Sequence, residues 1–234
     1  MRTTLGKLAA GLTACLALAA ISPPARAGII LNAEPNNTFN SAQVISSAAF
    51  TLDFVSPIGS GGGAGFVNTS TVMPHVTIER PGTGETTANL DFFRFTTTAS
   101  GRLILDIDNT PVPTNFDTVL HLFTASGLLL ATNDDALRGP GDGTGLTGGS
   151  LDSRIETGIL PAGTYVAAVA HSPSVGSFGG VVTDPIPAGG SYTLNISIPA
   201  PTPVPEPGSM SLLGMGVAGL MGLAFRRRRI AGAG

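Results

Sequence analysis

This 234-residue chain contains no tryptophan, one cysteine and one lysine. Each shortage excludes a class of chemistry. Cys15 and Lys7 both lie before Gly28, so the stretch from Gly28 to Pro203 has neither residue. That stretch has no disulfide framework, no cysteine nucleophile and no thiolate metal site. The formal charge of −3 hides an asymmetry: residues 28–203 carry five arginines against fourteen acids, a net −9. An acidic body of this kind argues against nucleic acid and anionic lipid as partners, since both bind basic surfaces. Tyr165 and Tyr192 are the only tyrosines, so an aromatic platform for stacking sugars is not expected. Catalytic signatures are missing as well: there is no nucleophile elbow, no H-E-x-x-H and no paired-carboxylate motif. The histidines, His75, His121 and His171, are scattered, and His121 alternates with Leu120 and Leu122 as a packed or surface strand residue would. The chain is therefore read as a non-enzyme. An unrecognised secreted hydrolase stays open as an alternative, and it would need a cleft where histidine and carboxylates converge.

Both ends carry addresses. Arg2 and Lys7 precede an apolar run, Leu8 to Ile21, and Ala25-Arg26-Ala27 supplies an A-x-A cleavage site. This is a signal peptide for residues 1–27, handled by signal peptidase. Leu12-Thr13-Ala14-Cys15 fits a lipoprotein box, but the apolar run continues past Cys15, which favours ordinary cleavage before Gly28. At the other end, residues 199–207 form a proline-rich spacer containing Val204-Pro205-Glu206-Pro207. Ser209 to Phe225 follows with 17 uncharged residues, then Arg226-Arg227-Arg228-Arg229. As a helix that run would span roughly 25 Å, the short limit for a hydrocarbon core of about 30 Å. The arginines would hold the cytoplasmic side, leaving the body across the membrane. Motif, apolar segment and basic cluster together resemble the PEP-CTERM sorting signal of exported bacterial proteins, a resemblance covering Val204 to Arg229 with its transmembrane segment and arginine cluster at residues 208–229. The resemblance implies recognition by an exosortase, transient or retained inner-membrane anchoring, and association with exopolysaccharide or biofilm material. A plain C-terminal anchor is the alternative, and residues 230–234 are read as a disordered tail.

The body reads as all-β. Ser191 to Ile198 alternates polar and apolar residues, the mark of a strand with one buried face. Arg102–Asp108, Leu90–Thr96, Thr118–Phe123, Leu128–Thr132 and Tyr165–Ala170 are further short strand-like runs separated by glycine-containing turns. Such spacing predicts a single antiparallel β-sandwich over residues 28–198. Gly59–Gly65 and the glycine-dense Arg138–Gly149 read as surface excursions. The sequons at Asn36, Asn68 and Asn195 read as chance matches.

The acids gather at predicted strand ends. Asp91-Phe92-Phe93-Arg94-Phe95, Phe116-Asp117-Thr118, Asn133-Asp134-Asp135, Asp152-Ser153-Arg154 and Pro161-Ala162-Gly163-Thr164-Tyr165 occur in that order, after the opening Ala33-Glu34-Pro35-Asn36-Asn37. This series resembles the bacterial pre-peptidase C-terminal (PPC-like) domain, a small jelly-roll-type β-sandwich. No peptidase domain precedes it here, so the family's association with proteolysis does not carry over. Some members bind Ca2+, which takes six to eight oxygen ligands from carboxylates, amides and carbonyls. The resemblance implies one such site at Glu34, Asn36, Asn37 and Asp91. A second acidic group comprises Asp117, Asn133, Asp134, Asp135 and Asp152. For Asn133-Asp134-Asp135 the alternative is ordinary turn chemistry, and for Asp152-Ser153-Arg154 an internal ion pair. The function expected is that of a non-catalytic exported envelope or matrix protein, or else a calcium-dependent carbohydrate- or protein-binding module.

Overall fold

The computed structural model describes residues 28–56, 58–60, 66–108, 116–136 and 152–201. The expected signal peptide, the sorting motif with its arginine cluster, residues 230–234 and the glycine-dense 138–149 segment lie outside the described residues. The described chain is nearly all β. Its strands are β1 (Ile29–Leu31), β2 (Gln43–Val44), β3 (Gly59–Ser60), β4 (Val67–Asn68), β5 (His75–Arg80), β6 (Asp91–Thr97) and β7 (Ile104–Asp108). There follow β8 (Thr118–Thr124), β9 (Leu129–Asn133), β10 (Arg154–Glu156), β11 (Gly163–His171), β12 (Gly176–Ser177), β13 (Val181–Val182) and β14 (Tyr192–Ser197). Two single-turn 3-10 helices, Phe39–Ser41 and Ser47–Ala49, are the helices present among the described residues, and none is long and apolar enough to cross a membrane.

Two five-stranded sheets result, in the orders β1-β5-β14-β7-β10 and β2-β6-β11-β8-β9. One apolar cluster joins them. Val76, Ile78, Leu105, Ile107, Leu194 and Ile196 of the first sheet meet Phe93, Phe95, Leu120, Leu122, Ala167 and Val169 of the second. These are alternate positions on each strand, as period-2 side-chain alternation requires. Tyr165 closes the turn before β11 by donating its hydroxyl to the Pro161 carbonyl at 2.5 Å, a tyrosine-corner contact.

Two expectations need correction. The sheets are not purely antiparallel: β1 runs parallel to β5, and β2 parallel to β6. The N-terminal strap, residues 28–45, thus gives an edge strand to each sheet. Of the Gly59–Gly65 stretch expected as a surface excursion, the described residues Gly59 and Ser60 are instead tied into the fold. Gly59 and Ser60 pair with β4, the Gly59 carbonyl accepts from Arg154 Nη2 at 2.8 Å, and Ser60 Oγ donates to Glu156 Oε1 at 2.7 Å. This hairpin is pinned to β10 on the first sheet.

The outer face of the second sheet is apolar too. Phe92, Phe123, Val166 and Ala168 form a second buried cluster with Ala42, covered by Phe39 and Val182. The β12–β13 hairpin lies close on this face. Gly180 has φ +72°, and a Cβ there would sit 2.2 Å from the Phe39 ring, so glycine is required twice over.

Candidate functional site

At one end of the core the inward-facing positions turn from apolar to polar. Arg80 follows Val76 and Ile78 on β5, Asp91 precedes Phe93 on β6, and Tyr192, opposite Arg80 in register, precedes Leu194 on β14. All three side chains are buried. Arg80 Nε lies 3.1 Å from Asp91 Oδ2, an ion pair without hydrogen-bond alignment. Tyr192 donates its hydroxyl to the same oxygen at 2.6 Å. Arg80 is further held by the Gly190 carbonyl and by Asn89 Oδ1, the latter at 2.6 Å. Burial pushes the Asp91 carboxyl up to about 6, opposed by the Tyr192 hydrogen bond and the Arg80 charge. It also drives the Tyr192 hydroxyl well above its ordinary value.

The strap passes over this triad. Asn32 Nδ2 donates to Asp91 Oδ1 at 3.2 Å, and Asn36 Nδ2 donates to Asn32 Oδ1 at 2.7 Å. Glu34 is exposed but fixed on both oxygens: Oε1 accepts from Asn89 Nδ2 at 2.6 Å and Oε2 from the Asn36 N–H at 3.1 Å. Asn36 is fully buried. Its amide oxygen lies 3.2 Å from Glu34 Oε2 and 3.3 Å from Oε1, while Asn37 Oδ1 lies 2.7 Å from Glu34 Oε2 and 3.0 Å from the Leu90 carbonyl. Five oxygens from Glu34, Asn36, Asn37 and Leu90 thereby crowd together. Acceptors at such distances need a donor or a cation among them, and a turned Asn37 amide supplies the donor alternative. Of the four residues expected here, Glu34, Asn36 and Asn37 meet. Asp91 stands behind them, engaged by Arg80, Tyr192 and Asn32. The Leu90 carbonyl has no sequence signature, because any residue carries one.

The second acidic group is arranged otherwise. Asp117, Asp134 and Asp135 each bring a carboxylate oxygen within 4.8 Å of the others. Asp134 and Asp135 are exposed. Asp117 Oδ1 is buried with no hydrogen-bond partner. Burial raises the Asp117 carboxyl, and the neighbouring Asp134 and Asp135 charges raise it further. Ser172 Oγ donates to Asp134 Oδ2 at 3.1 Å. Asn133 is spent on turn chemistry: its oxygen accepts from the Arg154 N–H at 2.7 Å and its nitrogen donates to the Asp135 carbonyl at 3.1 Å. Asp152 is buried outside the trio, with its carbonyl accepting the Ala136 N–H at 3.0 Å. Arg154 pairs with Glu156 at 2.9 Å and Asp106 at 3.9 Å.

His121 is buried on the outer face of the second sheet. Nδ1 lies 3.0 Å from Thr132 Oγ1 and Nε2 lies 3.1 Å from Ser174 Oγ. Ser174 donates to the Thr183 carbonyl at 2.7 Å, so its remaining role is to accept from Nε2–H. The imidazole then has no free nitrogen with which to activate that serine, and burial lowers its pKa to about 4. The sequon asparagines are likewise engaged: Asn68 Nδ2 donates to the Val55 carbonyl at 2.7 Å, and Asn195 Nδ2 to Asp108 Oδ2 at 2.7 Å.

Comparison with known families identifies a PEP-CTERM protein-sorting motif over residues 203–229. A search of curated proteins finds no match to this chain. The motif marks the chain as an exosortase substrate, exported and sorted to the cell envelope or the extracellular space.

Proposed function

We propose that this is a non-catalytic surface or matrix protein whose body is a PPC-like β-sandwich closed by calcium at its N-terminal strap. Export would bring it into a calcium-containing exterior, where it associates with exopolysaccharide. The observation that carries the calcium reading is the crowding of Glu34, Asn36, Asn37 and Leu90 oxygens. Five protein oxygens plus water meet the coordination calcium takes, whereas magnesium rarely uses an all-protein cage. The non-catalytic reading is supported by His121, whose hydrogen bonds leave Ser174 without a base. Tyr165 and Tyr192 are buried, which weighs against a sugar-stacking platform built on them.

The sorting and the calcium are tested together on protein recovered from its native host. Mass spectrometry should find a C-terminus near Val204-Pro205-Glu206-Pro207, without the arginine cluster, and calcium chelation should lower the melting temperature. An intact C-terminus would reduce the tail to a simple anchor. Melting indifferent to chelator would remove calcium from the proposal.

A further inference from the structure

We infer that Asn32, a residue outside the oxygen cluster, is the positioning residue that makes the strap a cation site, by relaying the polarity of the buried Arg80–Asp91–Tyr192 triad to Asn36. This rests on the calcium reading above. The argument follows donors and acceptors along one line. Asp91 Oδ2 is taken by the Arg80 guanidinium and the Tyr192 hydroxyl, and Oδ1 remains an acceptor. A carboxylate has no proton to give, so the Asn32 group 3.2 Å from Oδ1 must be its NH2. That choice puts the Asn32 oxygen on the other side, where the Asn36 group 2.7 Å away must again be NH2. Asn36 Oδ1 is then forced toward Glu34, 3.2 and 3.3 Å from its two carboxylate oxygens.

Turning the Asn36 amide would let it donate to Glu34, but the turn cannot be made locally. It would set Asn36 Oδ1 against Asn32 Oδ1 at 2.7 Å, and Asn32 would have to turn as well. Asn32 Oδ1 would then face Asp91 Oδ1, leaving a buried carboxylate without its donor. The triad therefore sets the direction of two amides in series. Asn37 is not on this line, and its amide can turn freely. Without the relay both amides would donate to Glu34 and neutralise the cluster internally. With it, one fully buried amide oxygen is aimed at a carboxylate and needs a cation between them.

The experiment is calcium chloride titration by isothermal calorimetry at pH 7.5 on the mature exported protein, with melting measured in chelator. Asn32→Leu keeps the shape of the side chain and removes both hydrogen bonds, so Asn36 is released to donate to Glu34. The Kd should rise by roughly 10- to 100-fold, the usual cost of losing a group that orients a metal ligand. Chelated melting should fall as well, because Asp91 Oδ1 loses its donor, so the relay is read from the Kd and its rescue and not from stability. Adding Asn36→Asp to that variant should restore binding, because a carboxylate presents oxygen whichever way it turns. Rescue of this kind is not expected if Asn32 merely supports the strap. If Asn32→Leu does not fold, Asn32→Ala carries the same comparison. Wild-type binding that survives both substitutions overturns the relay and leaves the calcium reading standing. Absence of calcium heat in the wild type overturns both.

Discussion

The strap cluster and the acidic rim are both oxygen-rich, yet they solve opposite problems. The rim brings three carboxylates within 4.8 Å, two of them exposed. Burial first, and then repulsion from Asp134 and Asp135, pushes the Asp117 carboxyl up, and a single serine hydroxyl on Asp134 does little to organise the trio. The strap has one carboxylate, fixed on both oxygens, and two neutral amides, one of them oriented through a chain that ends on a buried ion pair. Charge density is greater at the rim, and organisation is greater at the strap. Affinity for a hard cation depends on ligands already held in place, because exposed carboxylates must still be ordered when the ion arrives. The comparison teaches that the count of acids is a poor guide to a site when what holds them differs.

The largest effect should come from breaking the support of the strap. Asp91→Ala takes from the buried Arg80 guanidinium its nearer and fully buried counter-charge, leaving the Glu85 carboxylate at 3.5 Å, a change that costs up to about 3–5 kcal/mol. Asp135→Ala at the exposed rim should fall within about 0.5 kcal/mol of wild type, as surface substitutions usually do. Urea denaturation at pH 7.5 in fixed calcium measures both. Equal costs would mean that the triad does not organise its end of the core.

How much of this was legible in the sequence follows from what each strand exposes. β14 was read from Ser191 to Ile198 because its inward positions, Leu194 and Ile196, are apolar and its outward ones polar. β5, the strand beside it, was missed. Its inward set is Val76, Ile78 and Arg80, and a charged residue in a core position breaks the pattern that periodicity seeks. Its outward His75 is buried as well, and its backbone bridges to Thr51. β1 and β2 are too short to show any period, and their parallel pairing depends on partners distant in sequence. Phe92 lies on the opposite side of β6 from Phe93, where alternation expects solvent, but Phe39 and Val182 cover it. At the strap, Glu34, Asn36 and Asn37 were legible as oxygen carriers. Asn32 was not, because its role exists only once Asp91 and Asn36 are set on either side of it.

The second effect probes the rim side through a group that does not touch the acids. His121 holds the chain after β11 through Ser174, two residues beyond the Ser172 that donates to Asp134. Its folded pKa is lowered to about 4 from an ordinary 6.5. A depressed base is neutral in the fold, so the unfolded chain takes up the proton first as pH falls. The stability is fully present above pH 6.5 and is lost between 6.5 and about 4, a loss of about 3 kcal/mol. His121→Gln retains hydrogen-bonding groups without titrating in this range. Urea melts at pH 7 and pH 4.5 should show the loss in wild type and a smaller one in the variant. If the two proteins lose stability in parallel, His121 is not the group responsible.

The smallest effect separates the two clusters directly. A ligand that binds only the folded state stabilises it by about 2.7 kcal/mol at a hundredfold excess over its Kd. Extracellular calcium sites commonly have Kd near 10⁻⁴–10⁻³ M, so calcium at tens of millimolar is the working range. Glu34→Gln removes the charge at the strap while keeping its shape, and it should abolish the calcium-induced rise in melting temperature. Asp134→Asn should leave that rise intact. In chelator the same substitution should stabilise slightly, by under about 1 kcal/mol, because it relieves repulsion against Asp117 and Asp135. That gain should shrink as salt is raised, since exposed charges are screened over about 10 Å at 0.1 M ionic strength. The reverse pattern, a calcium shift that survives Glu34→Gln and disappears in Asp134→Asn, would move the ion to the rim. The Asp117 oxygen that is buried without a partner would then be its innermost ligand, and the order of the strap would serve only to staple the two sheets.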